Sequence, residues 1–376
     1  MDNHNIYADI ATRTGGDIYI GVVGPVRTGK STFIKRFMEA LVLPNITDPF
    51  ERERARDEMP QSAAGRTVMT AEPKFIPDEA VKVSLADNAD MRVKMVDCVG
   101  YLIPEAMGST ENGMPRMVMT PWSKEPMPFE QAAEMGTKKV ISEHSTIGLV
   151  VTTDGSIGDL PRRNYTDAEK RVIAELKEIG KPFVIILNSA HPQSEEAIDL
   201  AYKLEETYKA PVALVNCLEL DGEDIRNILE MVLLEFPVKE LAINLPSWTK
   251  ALDETHPVAA AIKSKLMEAA DRIRCTGDIQ SVIDSLAGGE YIARAVIERI
   301  DLGTGGASLD VRLPDNLYYR VLSEMTGLDV SDDAKLIALM RELAATKRKY
   351  DRVAKALAEV EARGYGIVMP GREELR

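Results

Sequence analysis

From Ile18 to Phe236 short apolar runs alternate with stretches whose apolar residues recur every three or four positions. The runs are IYIGVV (18–23), VKVSL (81–85), RVKMVD (92–97), IGLVVTT (147–153), FVIILN (183–188) and VALVNC (212–217). Short, largely apolar runs of this kind read as strands buried on both faces, where a half-exposed strand would alternate. Between the later runs lie amphipathic stretches such as TDAEKRVIAELKEIGK, in which Val172, Leu176 and Ile179 share one helical face. Thr166 and Glu169 have the spacing of a capping box and predict the start of that helix. Strands separated by helices predict an α/β fold with a mixed, mostly parallel sheet. It is mixed because VKVSL and RVKMVD, joined by ADNAD, read as a hairpin.

Beyond Phe236 the pattern changes. Pro237 and Pro246 punctuate VKELAINLPSW, and helical periodicity runs from His256 to about Leu286. A glycine-rich break, GTGGAS (303–308), precedes the strand-like LDVRLP. Ser331 opens a long helical stretch to about Arg363, followed by the strand-like YGIVMP. Two domains are expected, residues 1–236 and a smaller α+β domain over 237–376. In the long helix Leu336, Leu343, Tyr350 and Leu357 recur every seven residues, beside Leu339, Val353 and Val360. Such a stripe serves either packing on its own domain, the expectation here, or a coiled-coil seam between subunits. Trp248, beside a proline, does not by itself mark a contact surface.

Charge narrows the function classes. The 376 residues carry a formal net charge of −14, which disfavours broad nucleic-acid binding and direct adhesion to anionic lipid. Three cysteines (Cys98, Cys217, Cys275) without a CxxC pair, and four scattered histidines, argue against a zinc site and for reduced thiols in the cytoplasm. The first residues lack a basic segment followed by an apolar one, so no signal peptide is expected, and no run reaches membrane-spanning length.

The chemistry is concentrated in GPVRTGKST: Gly24, Pro25, Val26, Arg27, Thr28, Gly29, Lys30, Ser31 and Thr32. Gly-x-x-x-x-Gly-Lys-Ser between a strand and a helix is a phosphate-binding loop. Its glycines let backbone N–H groups approach phosphate oxygens, and the helix N-terminus adds its positive dipole end. Lys30 is placed to reach the β and γ phosphates, and Ser31 to offer a hydroxyl to Mg²⁺. A chance match in a strand-to-helix turn is the plain alternative, which the flanking elements disfavour. Asp97 ends the run RVKMVD with Gly100 three residues on, a pattern in which the carboxylate serves Mg²⁺ and the glycine N–H the γ-phosphate. In the interval between, Thr70 is the first choice for a threonine that contacts Mg²⁺ and senses the γ-phosphate, with Thr67 the alternative. FVIILN ends in NSAH, Asn188 to His191. His191 stands where a guanine-reading site carries an Asp that accepts two hydrogen bonds, which a neutral imidazole cannot do. Adenine is therefore the expected base, and ATP with Mg²⁺ the expected ligand. Tyr101, after Gly100, replaces the water-orienting Gln of fast GTPases, so slow turnover is expected. Arg27 and Arg66 are candidate charge-stabilising arginines, whereas ERERARD reads as a solvated helical face.

The long stretches IYIGVVGPVRTGKSTFIKRFMEALVLPNI, ERERARDEMPQSAAGRTVMTAEPKF and VKMVDCVGYLIPEAMG resemble the stage IV sporulation protein A family of endospore-forming bacteria. The resemblance continues to GYGIVMP and so covers essentially the whole chain. It implies a GTPase-related P-loop ATPase that polymerises into the basement layer of the spore coat. It also implies a place in the mother-cell cytoplasm at the outer forespore membrane. The implied partners are further copies of itself, a small amphipathic membrane-bound peptide and other coat proteins. On matching positions, Gly24 to Ser31 would be the Walker A loop, Asp97 the Walker B carboxylate and Thr70 the sensor. A second threonine that often follows the sensor is Ala71 here. The chain also stops at GREELR, where family members continue into a C-terminal domain. Two other readings stand beside it: a GTPase-like switch that binds a partner without polymerising, and a structural module stabilised by nucleotide. NSAH speaks against the first. The set Lys30, Ser31, Thr70 and Asp97 speaks against the second.

Overall fold

The chain opens with α1 (Ile6–Thr14), β1 (Asp17–Val23), α2 (Lys30–Phe37), α3 (Pro49–Asp57), β2 (Lys74–Leu85) and β3 (Ala89–Asp97). Two small antiparallel pairs follow, β4 (Thr110–Glu111) with β5 (Met114–Pro115) and β6 (Met117–Thr120) with β7 (Ser123–Pro128). Then come α4 (Phe129–Glu143), β8 (Ile147–Thr153), α5 (Thr166–Ile179), β9 (Phe183–Asn188), α6 (Glu195–Tyr208), β10 (Val212–Val215) and α7 (Gly222–Leu234). The remainder holds β11 (Glu240–Asn244), α8 (Pro257–Arg272), α9 (Asp278–Leu286), β12 (Arg294–Asp301), β13 (Gly306–Arg312), α10 (Asp315–Thr326) and α11 (Asp333–Arg363). This computed structural model describes residues 6–60, 73–85, 89–104, 110–111, 114–121, 123–286 and 288–368.

The main sheet has the order β10-β9-β8-β1-β3-β2. Its neighbours are parallel, except that β2 returns antiparallel along β3 from Lys74↔Asp97 to Leu85↔Ala89. The expected mixed, mostly parallel sheet is therefore present. β8 and β9 are buried at every position because both faces of the sheet are covered there. On one face Ile18, Ile20 and Val22 pack with Phe33 and Ile34 of α2 and with Ile228 and Val232 of α7. On the other, Val23, Val150 and Leu187 pack with Val172 and Leu176 of α5 and with Leu204 of α6. Each such fully buried aliphatic side chain contributes about 2 kcal/mol relative to exposure.

Several local expectations are corrected. β2 begins at Lys74 rather than Val81, with a register irregularity between Ile76 and Val81. β10 ends at Val215, because the Asn216 side chain turns to accept from the Leu218 N–H at 3.0 Å. The helical pattern after the phosphate loop breaks at Phe37 and continues as a wider π-helical turn, Met38–Val42. The Thr166/Glu169 capping box does not form: the residue before α5 is Tyr165, and no side chain caps the helix. Glu169 is instead fully buried and accepts from Thr152, Arg162 and Tyr208.

The chain divides into two units, residues Met1–Ala242, Ala269–Ile283 and Ile297–Leu309 in one, and Ile243–Glu268, Asp284–Val296 and Asp310–Arg376 in the other. The second unit's core joins Val258, Ile262 and Leu266 of α8 with Ile292, Val311, Leu313 and two residues of α10, Leu317 and Val321. Trp248 packs against that core with its ring 5.7 Å from Tyr318. β11, β13 and β12 form a three-stranded sheet in that order. α11 is capped by Asp332, whose carboxylate accepts from the Lys335 N–H at 2.8 Å. The expected packing of its stripe on its own domain is found only in part: Leu336, Leu339 and Val353 are half-buried. Ala356 is the buried residue of α11, while Leu343, Tyr350, Leu357 and Val360 are exposed. Residues 365–368 are not a strand. There the chain folds back, and Gly366 approaches the Ala356 carbonyl so closely that a Cβ would lie 2.0 Å from it.

Candidate functional site

β1 sits at the middle of the sheet, and its carboxyl end delivers the chain into Gly24. A parallel sheet presents its ligand crevice at this end of the strands. From Gly24 to Gly29 the chain curls into the start of α2. Thr28 is buried and donates to the Pro25 carbonyl at 3.0 Å, and Arg27 takes a left-handed φ of 64°. Gly29 occupies the position before α2 with φ 92° and no side-chain cap, which leaves the helix start facing outward from the loop. A Cβ on Gly29 would lie 2.4 Å from Asn188 Nδ2, so glycine is required there. Asn188 donates to the Thr28 carbonyl at 3.0 Å and accepts from the Cys217 N–H at 3.0 Å. One buried amide thus ties the phosphate loop to the turn after β10.

The Lys30 ammonium is buried and donates to the carbonyls of Pro25 (2.6 Å) and Gly24 (3.4 Å). Burial lowers its pKa, with Cys98 and Asp97 opposing. Ser31 Oγ donates to Asp97 Oδ2 at 2.8 Å, while Asp97 Oδ1 is buried without a partner. Burial raises the Asp97 pKa, against the Ser31 hydrogen bond and the Lys30 charge. A buried carboxylate oxygen left unpartnered is costly unless something completes it. A hydroxyl and a carboxylate side by side, both hard oxygen donors, suit Mg²⁺. Ser31 and Asp97 are therefore the residues that fit the ion.

Gly100 (φ 89°) completes the wall. A Cβ there would meet the Gly24 carbonyl at 2.0 Å and Lys30 Nζ at 2.7 Å. The next residue locks this arrangement: the Tyr101 N–H donates to Gly24 O (3.2 Å) and its carbonyl accepts from the Val26 N–H (2.9 Å). Val26 is buried with Tyr101 in one core, and Thr32 lies half-buried in the first turn of α2.

On the base side, Ser189 donates to Asp154 Oδ2 at 2.6 Å and accepts from the His191 N–H at 3.0 Å, while His191 is exposed. Asp154 also receives the N–H and hydroxyl of Ser156, and these bonds hold its pKa below the usual carboxylate range despite partial burial.

The structure brings together the predicted Gly24–Thr32, Asp97, Gly100 and Asn188. Thr70, its alternative Thr67, and Arg66 lie outside the described residues. Three features were not read from the sequence: the organising role of Asp154, the pairing of buried Glu169 with half-buried Arg162 (2.6 Å) and the surroundings of the Tyr101 ring. Only Asp154 had a local signal, since an Asp-Gly pair after a strand marks a structured turn. Cys98 and Cys217 are buried free thiols, and burial pushes Cys98 up to about 11 and Cys217 up to about 12. Among the described residues, no helix is long and apolar enough to cross a membrane.

Residues 1–237 match the family described as Stage IV sporulation protein A, ATPase domain, and residues 238–376 match the middle domain of the same name. A Stage IV sporulation protein A from Clostridioides difficile (strain 630) is 46% identical over 373 residues, covering 99% of this chain and 76% of the relative. Those from Bacillus anthracis (47%) and Bacillus subtilis (strain 168) (46%) align over 375 residues, 100% of this chain and 76% of each relative. Among solved structures, a bacterial selenocysteine-specific elongation factor superposes with a TM-score of 0.32 at 16% identity. That superposition covers 59% of this chain and 29% of the other, too distant to inform the reading.

Proposed function

The chain belongs to the stage IV sporulation protein A family, and from that premise we propose that it hydrolyses ATP to ADP and phosphate in order to self-assemble as a layer of the spore coat on the forespore. The observation that carries the reading is the Ser31–Asp97 pair with its unpartnered Oδ1, set behind a phosphate loop and beside Lys30. The N–H groups at the start of α2 bind the phosphates, and Lys30 exchanges its two carbonyl partners for β and γ oxygens. Ser31 and Asp97 would hold Mg²⁺, and Thr70 is assigned the sensor's role from the sequence. When bound, the ion supplies positive charge that offsets the charge developing on the phosphates. Asn188 keeps the loop and the base-side turn in register. His191, in place of a carboxylate, favours adenine over guanine.

Hydrolysis serves assembly only if the two nucleotide states differ in the contacts they favour. Sedimentation with ATP, a non-hydrolysable analogue and GTP tests this. The expected result is polymer in the ATP tube alone. Equal polymer with the analogue would remove hydrolysis from the mechanism, and a GTP preference would overturn the reading of His191. Soluble protein with normal ATP turnover in every tube would favour a nucleotide switch that binds a partner without polymerising.

A further inference from the structure

Tyr101 occupies the place where fast GTPases carry a water-orienting Gln, yet its side chain turns away from the phosphate loop. The ring is 1% exposed, inside the core that holds Val172 and Leu176 of α5. Its hydroxyl donates to Glu175 Oε2 of α5 at 2.5 Å. The Arg171 guanidinium carbon lies 4.9 Å from the ring centroid, within cation–π range. Arg171 in turn pairs with Glu134 of α4 at 2.8 Å. At its other end, the Tyr101 backbone makes both hydrogen bonds to the phosphate loop, through Gly24 and Val26. One residue therefore joins the loop, α5 and, through Arg171, α4.

We propose that Tyr101 is a positioning residue for hydrolysis: its hydroxyl, fixed by Glu175, sets how Gly100 stands against the loop. The proposal rests on reading the loop as an ATP site. Gly100 has no spare room, since a single added carbon would strike the Gly24 carbonyl and the Lys30 ammonium. Its position is therefore decided by what holds the next residue. A phenol donating to a carboxylate is among the stronger neutral-donor hydrogen bonds. Loss of that bond removes the polar tether between Tyr101 and Glu175 while the apolar ring stays packed against α5. The γ-phosphate side then loses its alignment, while the rest of the triphosphate keeps its cradle, so the defect falls on kcat rather than on nucleotide affinity.

The test is steady-state ATP hydrolysis by the whole chain carrying Y101F, E175A, E175Q or Y101F with E175A. Binding of a fluorescent ATP analogue is measured on each. Y101F and E175A should each lower kcat about tenfold with KM within about twofold, and the double variant should lose no more than either alone. E175Q keeps an acceptor oxygen and should recover most of the rate lost in E175A. A Y101F kcat within twofold of the parent, additive losses in the double variant, or E175Q as slow as E175A would each overturn the proposal. If Y101F does not fold, the E175A and E175Q comparison decides alone. Failure of the parent chain to bind the analogue would instead bring down the ATP reading beneath it.

Discussion

The Lys30 ammonium is held away from water by two carbonyls of its own loop, and burial lowers its pKa. A cation kept under that strain is stabilised by an anion placed in the loop. Lys30→Ala should therefore weaken ATP binding by about 3 kcal/mol, roughly a hundredfold, read by titrating a fluorescent ATP analogue. Asp97→Ala should bind within a few-fold of the parent but lose hydrolysis, because Asp97 serves the ion rather than the bulk of the triphosphate. Near-equal affinities of Lys30→Ala and parent would refute the assignment. These residues were legible in the sequence because a phosphate cradle needs its glycines, lysine and hydroxyl at fixed local spacing. Asp97 was legible for a similar reason, as a strand-end carboxylate three residues ahead of a glycine. The Tyr101–Glu175 bond was not, since its partners stand 74 residues apart and no local spacing foretells a meeting between a strand end and a later helix.

At the scale of elements, α5 shows how a correct boundary can rest on the wrong cause. The helix begins at Thr166 as expected, but Glu169 points into the core rather than back to its N-terminus. There it meets Arg162 at 2.6 Å, Thr152 and Tyr208. Removing Glu169 takes the shared acceptor from Thr152, Tyr208 and the half-buried Arg162. Glu169→Ala should cost about 2–3 kcal/mol, seen in urea unfolding as a lower midpoint at unchanged slope. Thr166→Ala should cost less than about 0.5 kcal/mol, where a true capping threonine would cost about 1. A larger loss from Thr166→Ala than from Glu169→Ala would restore the capping box. The strands were easier to read, because a strand covered on both faces is apolar at every position. The stripe on α11 was only half legible for the converse reason: periodicity shows that a face is apolar, not how much of it is covered.

At the scale of the molecule, α11 is thirty-one residues long with Ala356 as its buried residue, so few tertiary contacts oppose its local opening. Its exposed Lys347, Arg348 and Lys349 stand near its middle. Brief trypsin treatment should cut there first and leave the first unit's sheet intact, as mass spectrometry of the fragments can show. First cuts within α2 or α5 would contradict this order. The broad plan, an α/β unit followed by a smaller one with a long helix, could be read from the chain. Of the three-stranded sheet β11-β13-β12 only β13 could, as LDVRLP; β11 and β12 carry mixed rather than continuous patterns. The register of the main sheet also bears on how the protein is made. Ile20 of β1 lies between Met95 and Ile147, both synthesised well after it. Until β3 and then β8 have left the ribosome, the strand that ends in the phosphate loop has no neighbours to pair with. The loop therefore takes its shape only after strands translated later than itself, and until β8 emerges its apolar strand is a natural client for chaperones.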